Sequence, residues 1–285
     1  MVSVSQNSRA DARVGIIAGQ GNLPLALATS LRASGQLPFL LLVEGEADPA
    51  DYQDFPFDVF KITKIGRFLK ALKREGCTKI TLAGPVRRPD MKNIVPDFEG
   101  VKLLARITAS IGKGDDQLLT TITTYLADKG YEIVGVHELA TDLLVPTGQL
   151  GRLAPEESDW EDIREGSRIV KAIGELDIGQ AAIIRDGYTL AVEAAEGTDG
   201  LLERSVQFAR EQPSGVLVKL SKPGQDLRID MPTIGPGTIS RAAAANLRGI
   251  AVEAERTLVM EKSEMIVQAN AAGIFVIGLE LDVKS

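Results

Sequence analysis

The densest run of chemically competent side chains lies at residues 219–230, KLSKPGQDLRID, where Lys219, Lys222, Gln225, Asp226, Arg228 and Asp230 fall within twelve residues. Side chains of an extended segment alternate between two faces, so this spacing puts Asp226, Arg228 and Asp230 on one face. Two carboxylates with an arginine between them can hold Mg²⁺ and steer an anionic substrate. On an exposed strand the same trio makes a salt-bridge ladder. Six polar groups beside a Pro-Gly turn make the ladder the weaker explanation. Upstream, VEAAEGTDG supplies Glu193, Glu196, Thr198 and Asp199 around Gly197, just before a helix. Thr198 or Asp199 suits a helix cap, and a polar turn at a strand end is where active-site loops commonly sit.

A second set lies in the first half. After the apolar run RVGIIA come Gly19, Gly21, Asn22 and Leu23. Glycines let backbone N–H groups approach a phosphate, and a helix N-terminus favours negative charge. The dinucleotide fingerprint wants a third glycine where this chain has Pro24, so the match is incomplete. Glu44, after the second strand, suits a ribose hydroxyl. A tight strand-to-helix turn without a ligand fits the motif equally well. LAGPVRRP adds Gly84, Arg87 and Arg88 at another strand end, and arginine clamps phosphate bidentately. In GKGDDQLL, one of Asp115 and Asp116 reads as a helix N-cap and the other as a group for a sugar hydroxyl or a metal.

Positioning these residues takes two α/β halves. Strands are expected at 13–18, LPFLLLV, TKITLAG and YEIVGV. Helices are expected through LALATSLRASG, IGRFLKALKREG and two stretches near 101–111 and 115–129. Strand–helix alternation of this kind predicts a parallel sheet with helices on its faces. Ligands of such sheets bind beyond the carboxyl ends of the strands, so the Gly19 and Gly84 loops face one crevice. The Pro- and Gly-containing stretch 142–158 is the best linker, giving domains at 13–150 and 151–285. Beyond it come a helix through Trp160–Leu176, a hairpin turning at Asp186-Gly187, three further helices and three further strands. That grammar predicts a mixed sheet.

Composition limits the function. With 285 residues, 44% hydrophobic and 25% charged, the chain can bury two cores and stay in solution. A net charge of −7 argues against nucleic-acid binding. No apolar run is long enough to span a bilayer, and the N-terminus lacks the pattern of a secretory signal, so a cytoplasmic protein without transmembrane anchoring is expected. Contact with a membrane surface stays open, and a homodimer is the default assembly. One cysteine, Cys77, and one histidine, His137, exclude a disulfide framework and a multi-histidine metal site. There is no G-x-S-x-G elbow and no Walker A loop.

Several phosphate chemistries survive these exclusions. The strings GIIAGQGNLP, LAGPVRRP, GDDQLL, VEAAEGTDG and SKPGQDLRIDMPTIG, in this order across roughly residues 13–280, resemble the LpxI family of UDP-2,3-diacylglucosamine pyrophosphatases. The resemblance implies a Rossmann-like N-terminal domain, a second mixed α/β domain and a ligand cleft between them. It implies Mg²⁺-dependent cleavage of UDP-2,3-diacylglucosamine to UMP and 2,3-diacylglucosamine 1-phosphate (lipid X), by attack at the β-phosphorus, in the lipid A pathway of Gram-negative bacteria. The family's essential aspartate falls on Asp226, as general base or metal ligand. Lys222, Arg228 and Asp230 join it in the catalytic set, and Asp226 with Asp230 would hold the metal. Gly19, Gly21, Asn22, Leu23, Gly84, Arg87, Asp115 and Asp116 would line the substrate site from the first half. From the second half, Glu196, Gly197, Thr198, Asp199, Lys219 and Gln225 would do so. The competing readings are a nucleotide-dependent oxidoreductase built on the Gly19–Gly21 turn and a non-catalytic sugar-nucleotide sensor.

Overall fold

The computed structural model describes residues 13–87, 95–109 and 115–281. Two compact units divide the chain at Ala140/Thr141.

In the first unit β1 (Arg13–Ala18) leads through α1 (Leu23–Ala33) to β2 (Phe39–Val43). β3 (Phe57–Phe60), α2 (Ile65–Arg74) and β4 (Cys77–Ala83) follow. α3 (Phe98–Ala109), α4 (Asp115–Asp128), β5 (Glu132–Ile133) and the short α5 (Val136–Leu139) complete it. The strands form one sheet in the order β3-β2-β1-β4-β5, and every pairing is parallel. This is the expected Rossmann-like arrangement. All five residues of β2 are buried, as a strand covered on both faces requires. One face packs Phe39, Leu41, Phe60, Phe68, Leu72, Leu103 and Tyr125 beneath α2, α3 and α4. The other meets α1 and α5. Cys77 is buried in this core, and burial pushes its thiol up to about 11. Two expectations change. The strand β3, four residues directly after Pro56, went unseen in the sequence, and YEIVGV pairs only at Glu132–Ile133.

The second unit runs β6 (Gly148–Leu150), α6 (Glu157–Glu175), β7 (Ala181–Arg185), β8 (Tyr188–Val192) and α7 (Gly197–Ser205). It continues with β9 (Val216–Lys219), β10 (Thr233–Ile234), α8 (Pro236–Ala244), β11 (Gly249–Glu253), β12 (Leu258–Val259), α9 (Lys262–Ala272) and β13 (Phe275–Leu279). Its six-stranded sheet has the order β6-β13-β11-β9-β7-β8 and mixes parallel with antiparallel pairs, as expected. A parallel pair, β10-β12, stands apart from it. The unit starts before the break expected at 150/151, because β6 pairs with β13 instead of serving as linker. The β7–β8 hairpin turns at Asp186 (φ 52°) and Gly187 (φ 75°), the left-handed pair that a two-residue turn demands. The buried Asp162 of α6 accepts from both turn amides, at 3.2 and 2.8 Å. Leu217, Ile183, Ile250 and Val276 pack against α7, α8 and α9. Val216, Val218, Ala251 and Phe275 face α6 on the other side.

Candidate functional site

In the first unit the sheet order reverses direction between β1 and β4, the topological switch point where open α/β sheets bind ligands. The two loops expected to share an edge meet there. The Gly19 amide donates to the Ala83 carbonyl and the Gln20 amide to the Pro85 carbonyl, both at 2.8 Å. A Cβ on Gly19 would lie 2.4 Å from the Pro85 carbonyl oxygen, and one on Gly84 would lie 2.3 Å from that of Gln20. These glycines therefore exist first for loop-on-loop packing, a reason that spacing alone did not reveal. Gly21 has a left-handed φ of 80° in open space and turns the chain into Asn22 and Leu23 at the start of α1.

Glu46 ties this edge together. Its carboxylate accepts from Gln20 Nε2 at 2.6 Å and from Arg87 Nε at 3.2 Å, while Arg87 Nη2 donates to the Gly45 carbonyl at 2.9 Å. Arg87, expected as a phosphate clamp, is thus an exposed cation held by Glu46, and sequence reasoning overlooked that carboxylate. Glu44, the suggested ribose partner, is exposed and pairs with Lys61 at 3.6 Å. Asp115 and Asp116 open α4; the cap expected of one of them rests on side chains that, like Arg88 as a whole, lie outside the described residues.

In the second unit the C-terminal ends of β8, β9 and β11 share one edge with the start of β7, a consequence of the antiparallel β7 pairings. The segment leaving β9 is not an extended strand, which corrects the expectation of a common face for Asp226, Arg228 and Asp230. Gly224 takes φ 76°, and the Asp226 carbonyl accepts from the amides of Ile229 and Asp230 at 2.9 and 3.3 Å. The chain coils because no neighbouring strand offers it a ladder. Asp226 instead meets Arg228 directly: Oδ1 accepts from Nε at 2.9 Å and Oδ2 from Nη2 at 2.7 Å, with the Arg228 amide also on Oδ1 at 3.1 Å. Gln225 holds the turn from within. Its Oε1 accepts from the Lys222 amide at 3.0 Å and its Nε2 donates to Asp230 Oδ2 at 2.9 Å. Lys222 Nζ reaches Asp177, beyond the end of α6, at 2.6 Å. Nothing in the sequence connects positions 177 and 222.

The Glu196–Asp199 turn lies on the same edge. Glu196 is the N-cap residue of α7 and pairs with Arg204 at 2.9 Å; hydrogen bonds from its own backbone amide and then from the Arg204 guanidinium lower its carboxyl below the usual range. Asp199 pairs with Arg241 at 3.2 Å. Neither Thr198 nor Asp199 caps the helix. The Thr198 hydroxyl turns inward to Glu193 and Lys219, both buried. Burial depresses the Lys219 ammonium below the ordinary lysine value, opposed by Glu193, Asp230 and Asp199.

The metal expectation meets a poor donor set. Among the described residues no three His, Cys, Asp or Glu side chains converge in a way that holds a metal ion. Asp226 is engaged on both oxygens, and Asp230 on one. The protein side chains described here do not build a metal cage by themselves.

Strand-end loops carrying paired cations and carboxylates, one set in a doubly wound unit and one in a mixed unit, define a two-unit α/β protein suited to anionic ligands. Comparison with known proteins makes this particular. Residues 13–143 match the LpxI N-terminal domain and residues 146–277 the LpxI C-terminal domain. Over 274 residues the chain is 39% identical to the UDP-2,3-diacylglucosamine pyrophosphatase LpxI of Caulobacter vibrioides, covering 94% of this chain and 98% of the relative. The chain belongs to the LpxI family.

Proposed function

We propose that this protein hydrolyses the pyrophosphate bond of UDP-2,3-diacylglucosamine, releasing UMP and 2,3-diacylglucosamine 1-phosphate for lipid A synthesis. The observation that carries the reading is the 39% identity along nearly the full length of a relative named for this activity. The strand-end loop at 222–230 supports it with suitable chemistry. Diphosphate cleavage needs an activated water and cations on the phosphoryl oxygens. In this reading Asp226 accepts the proton of the attacking water. Arg228 holds Asp226 in the free protein, and the arriving diphosphate competes for the guanidinium. Transfer of Arg228 to the phosphate would release the carboxylate at the moment it is needed. Lys222, Gln225 and Asp230 keep the turn in shape, and within the first unit the Gly19–Leu23 and Gly84–Arg87 loops are the part suited to a nucleotide.

A magnesium requirement belongs to the proposal as an ion brought with the diphosphate. Mg²⁺ keeps much of its water and needs only one or two carboxylates beside phosphate oxygens. Among the described residues no helix is long and apolar enough to cross a membrane. A doubly acylated substrate partitions into bilayers, so we place the protein in the cytoplasm with contact at the inner face of the inner membrane, as a homodimer.

The test is UMP release from UDP-2,3-diacylglucosamine, with and without chelator, by wild type and Asp226→Ala. Expected are turnover by wild type, loss on chelation, and an Asp226→Ala protein that binds substrate but turns over at least about 100-fold more slowly. An unaffected Asp226→Ala protein removes the base from this scheme. Bound nicotinamide or flavin absorbance in the purified protein would favour an oxidoreductase instead.

A further inference from the structure

Lys219 ends β9 on the sheet face that packs against α7 and α8, with a relative exposure of 7%. Lysine is seldom buried this far unless its charge is used. Ala181 of β7 lies opposite it in register, and the Glu193 amide donates to the Ala181 carbonyl at 2.8 Å. Glu193 and Lys219 therefore flank the smallest side chain available, and the Thr198 hydroxyl bridges them. Lys219 Nζ donates to Thr198 Oγ1 at 2.9 Å. With that oxygen accepting, the single hydroxyl proton of Thr198 goes to Glu193 Oε2 at 2.6 Å.

A second acceptor gives this buried charge a position of consequence. Lys219 Nζ also donates to the Thr233 carbonyl at 3.3 Å. Residues 220–232, the loop bearing Asp226, leave the sheet directly after Lys219 and end directly before Thr233. One ammonium thus joins both ends of the loop and fastens them, through Thr198, to the first turn of α7. A buried ion pair is generally no more stabilising than apolar packing of the same volume, so stability alone does not account for it.

We propose that Lys219 is a positioning residue, a clamp across the neck of the 220–232 loop that sets where Asp226 stands when water attacks. This rests on the hydrolase reading above. Lys219 acts through Thr198 and the loop, and need not touch the substrate.

The experiment compares Lys219→Met, Lys219→Arg, Thr198→Val and the double variant Lys219→Met/Thr198→Val. It measures kcat and KM for UMP release and amide hydrogen exchange across 220–232 in the substrate-free full-length protein. A loosened loop is expected to lower kcat about 100-fold with KM changed less than about threefold, the scale that an ångström of misplacement costs. Thr198→Val should move kcat in the same direction, the double variant should be no worse than Lys219→Met, and Lys219→Arg should recover part of the rate. Loop amides should exchange about tenfold or more faster in Lys219→Met. A rise in KM with kcat kept, or full activity in Thr198→Val, would show a direct substrate contact and overturn the clamp. Unchanged loop exchange overturns it as well. If Lys219→Met does not fold, Thr198→Val and Lys219→Arg decide the matter. If wild type releases no UMP, the hydrolase reading fails, while the exchange measurement still judges the clamp.

Discussion

Arg228 clasps the carboxylate of Asp226, two residues before it, with Nε 2.9 Å from Oδ1 and Nη2 2.7 Å from Oδ2. The two side chains are 53% and 36% exposed, so water competes for both partners. An exposed pair of this kind adds at most about 1 kcal/mol to stability. Its importance lies in what it withholds: the carboxylate is occupied until something else engages the guanidinium.

That relationship predicts the behaviour of Arg228→Lys. Lysine keeps the charge but lacks the planar fork that grips a carboxylate or a phosphate bidentately. The variant should melt within about 2 °C of wild type, while its KM for the UDP-linked substrate rises about tenfold or more. Steady-state kinetics beside a thermal melt measures both. An unchanged KM would remove Arg228 from substrate binding.

Gly84 and Gly21 have the same left-handed φ of 80° in different surroundings. A Cβ on Gly84 meets the Gln20 carbonyl oxygen at 2.3 Å, whereas one on Gly21 meets nothing within 4 Å. Gly21→Ala should cost about 1 kcal/mol for backbone strain alone. Gly84→Ala should cost about 2–4 kcal/mol, because the β1 and β4 loops must also part. Urea unfolding of the two variants gives the comparison, and equal losses would mean that the loops do not pack as described.

Glu99 links α3 to α4. Its carboxylate meets Lys102 at 2.8 Å, and it also contacts Lys129 and the Tyr125 hydroxyl. The hydrogen bonds of Lys102, Lys129 and Tyr125 lower its pKa from 4.5 to about 2. A carboxylate depressed in the folded state contributes fully above 4.5 and loses that contribution as the pH falls through about 2. Melting temperatures of wild type and Glu99→Gln should therefore differ at pH 7 and converge toward pH 2. A gap that widened on acidification would contradict the sign.

Cys77 is 4% exposed, and burial raises its thiol to about 11. Thiolate is the reactive species, so the folded protein at pH 8 should resist a disulfide reagent and titrate one thiol only on unfolding. Fast labelling of the native protein would show that β4 opens locally.

Much of the fold was legible in local patterns. Apolar runs at 13–18 and 39–43, the amphipathic period of 65–74 and the Asp186-Gly187 turn each carry their own signal. Hydrophobic period and turn chemistry act over a few residues. β3 was hidden because four residues directly after Pro56 carry too little pattern. The extended reading of 226–230 failed because alternating charges imply a strand only when a neighbour supplies the hydrogen-bond ladder.

The sequence by itself determined the two α/β halves, the parallel character of the first sheet and the loops worth inspecting. It also named the residues of the 219–230 segment, because chemistry needs particular side chains whatever their arrangement. Only the tertiary structure decided their partners: Glu46 with Arg87, Asp177 with Lys222, and Thr198 and Thr233 with Lys219. These pairs are separated by 41, 45, 21 and 14 positions. No local pattern records such separations, since it is the pairing order of the strands and the packing of helices on the sheets that bring these side chains within hydrogen-bonding reach.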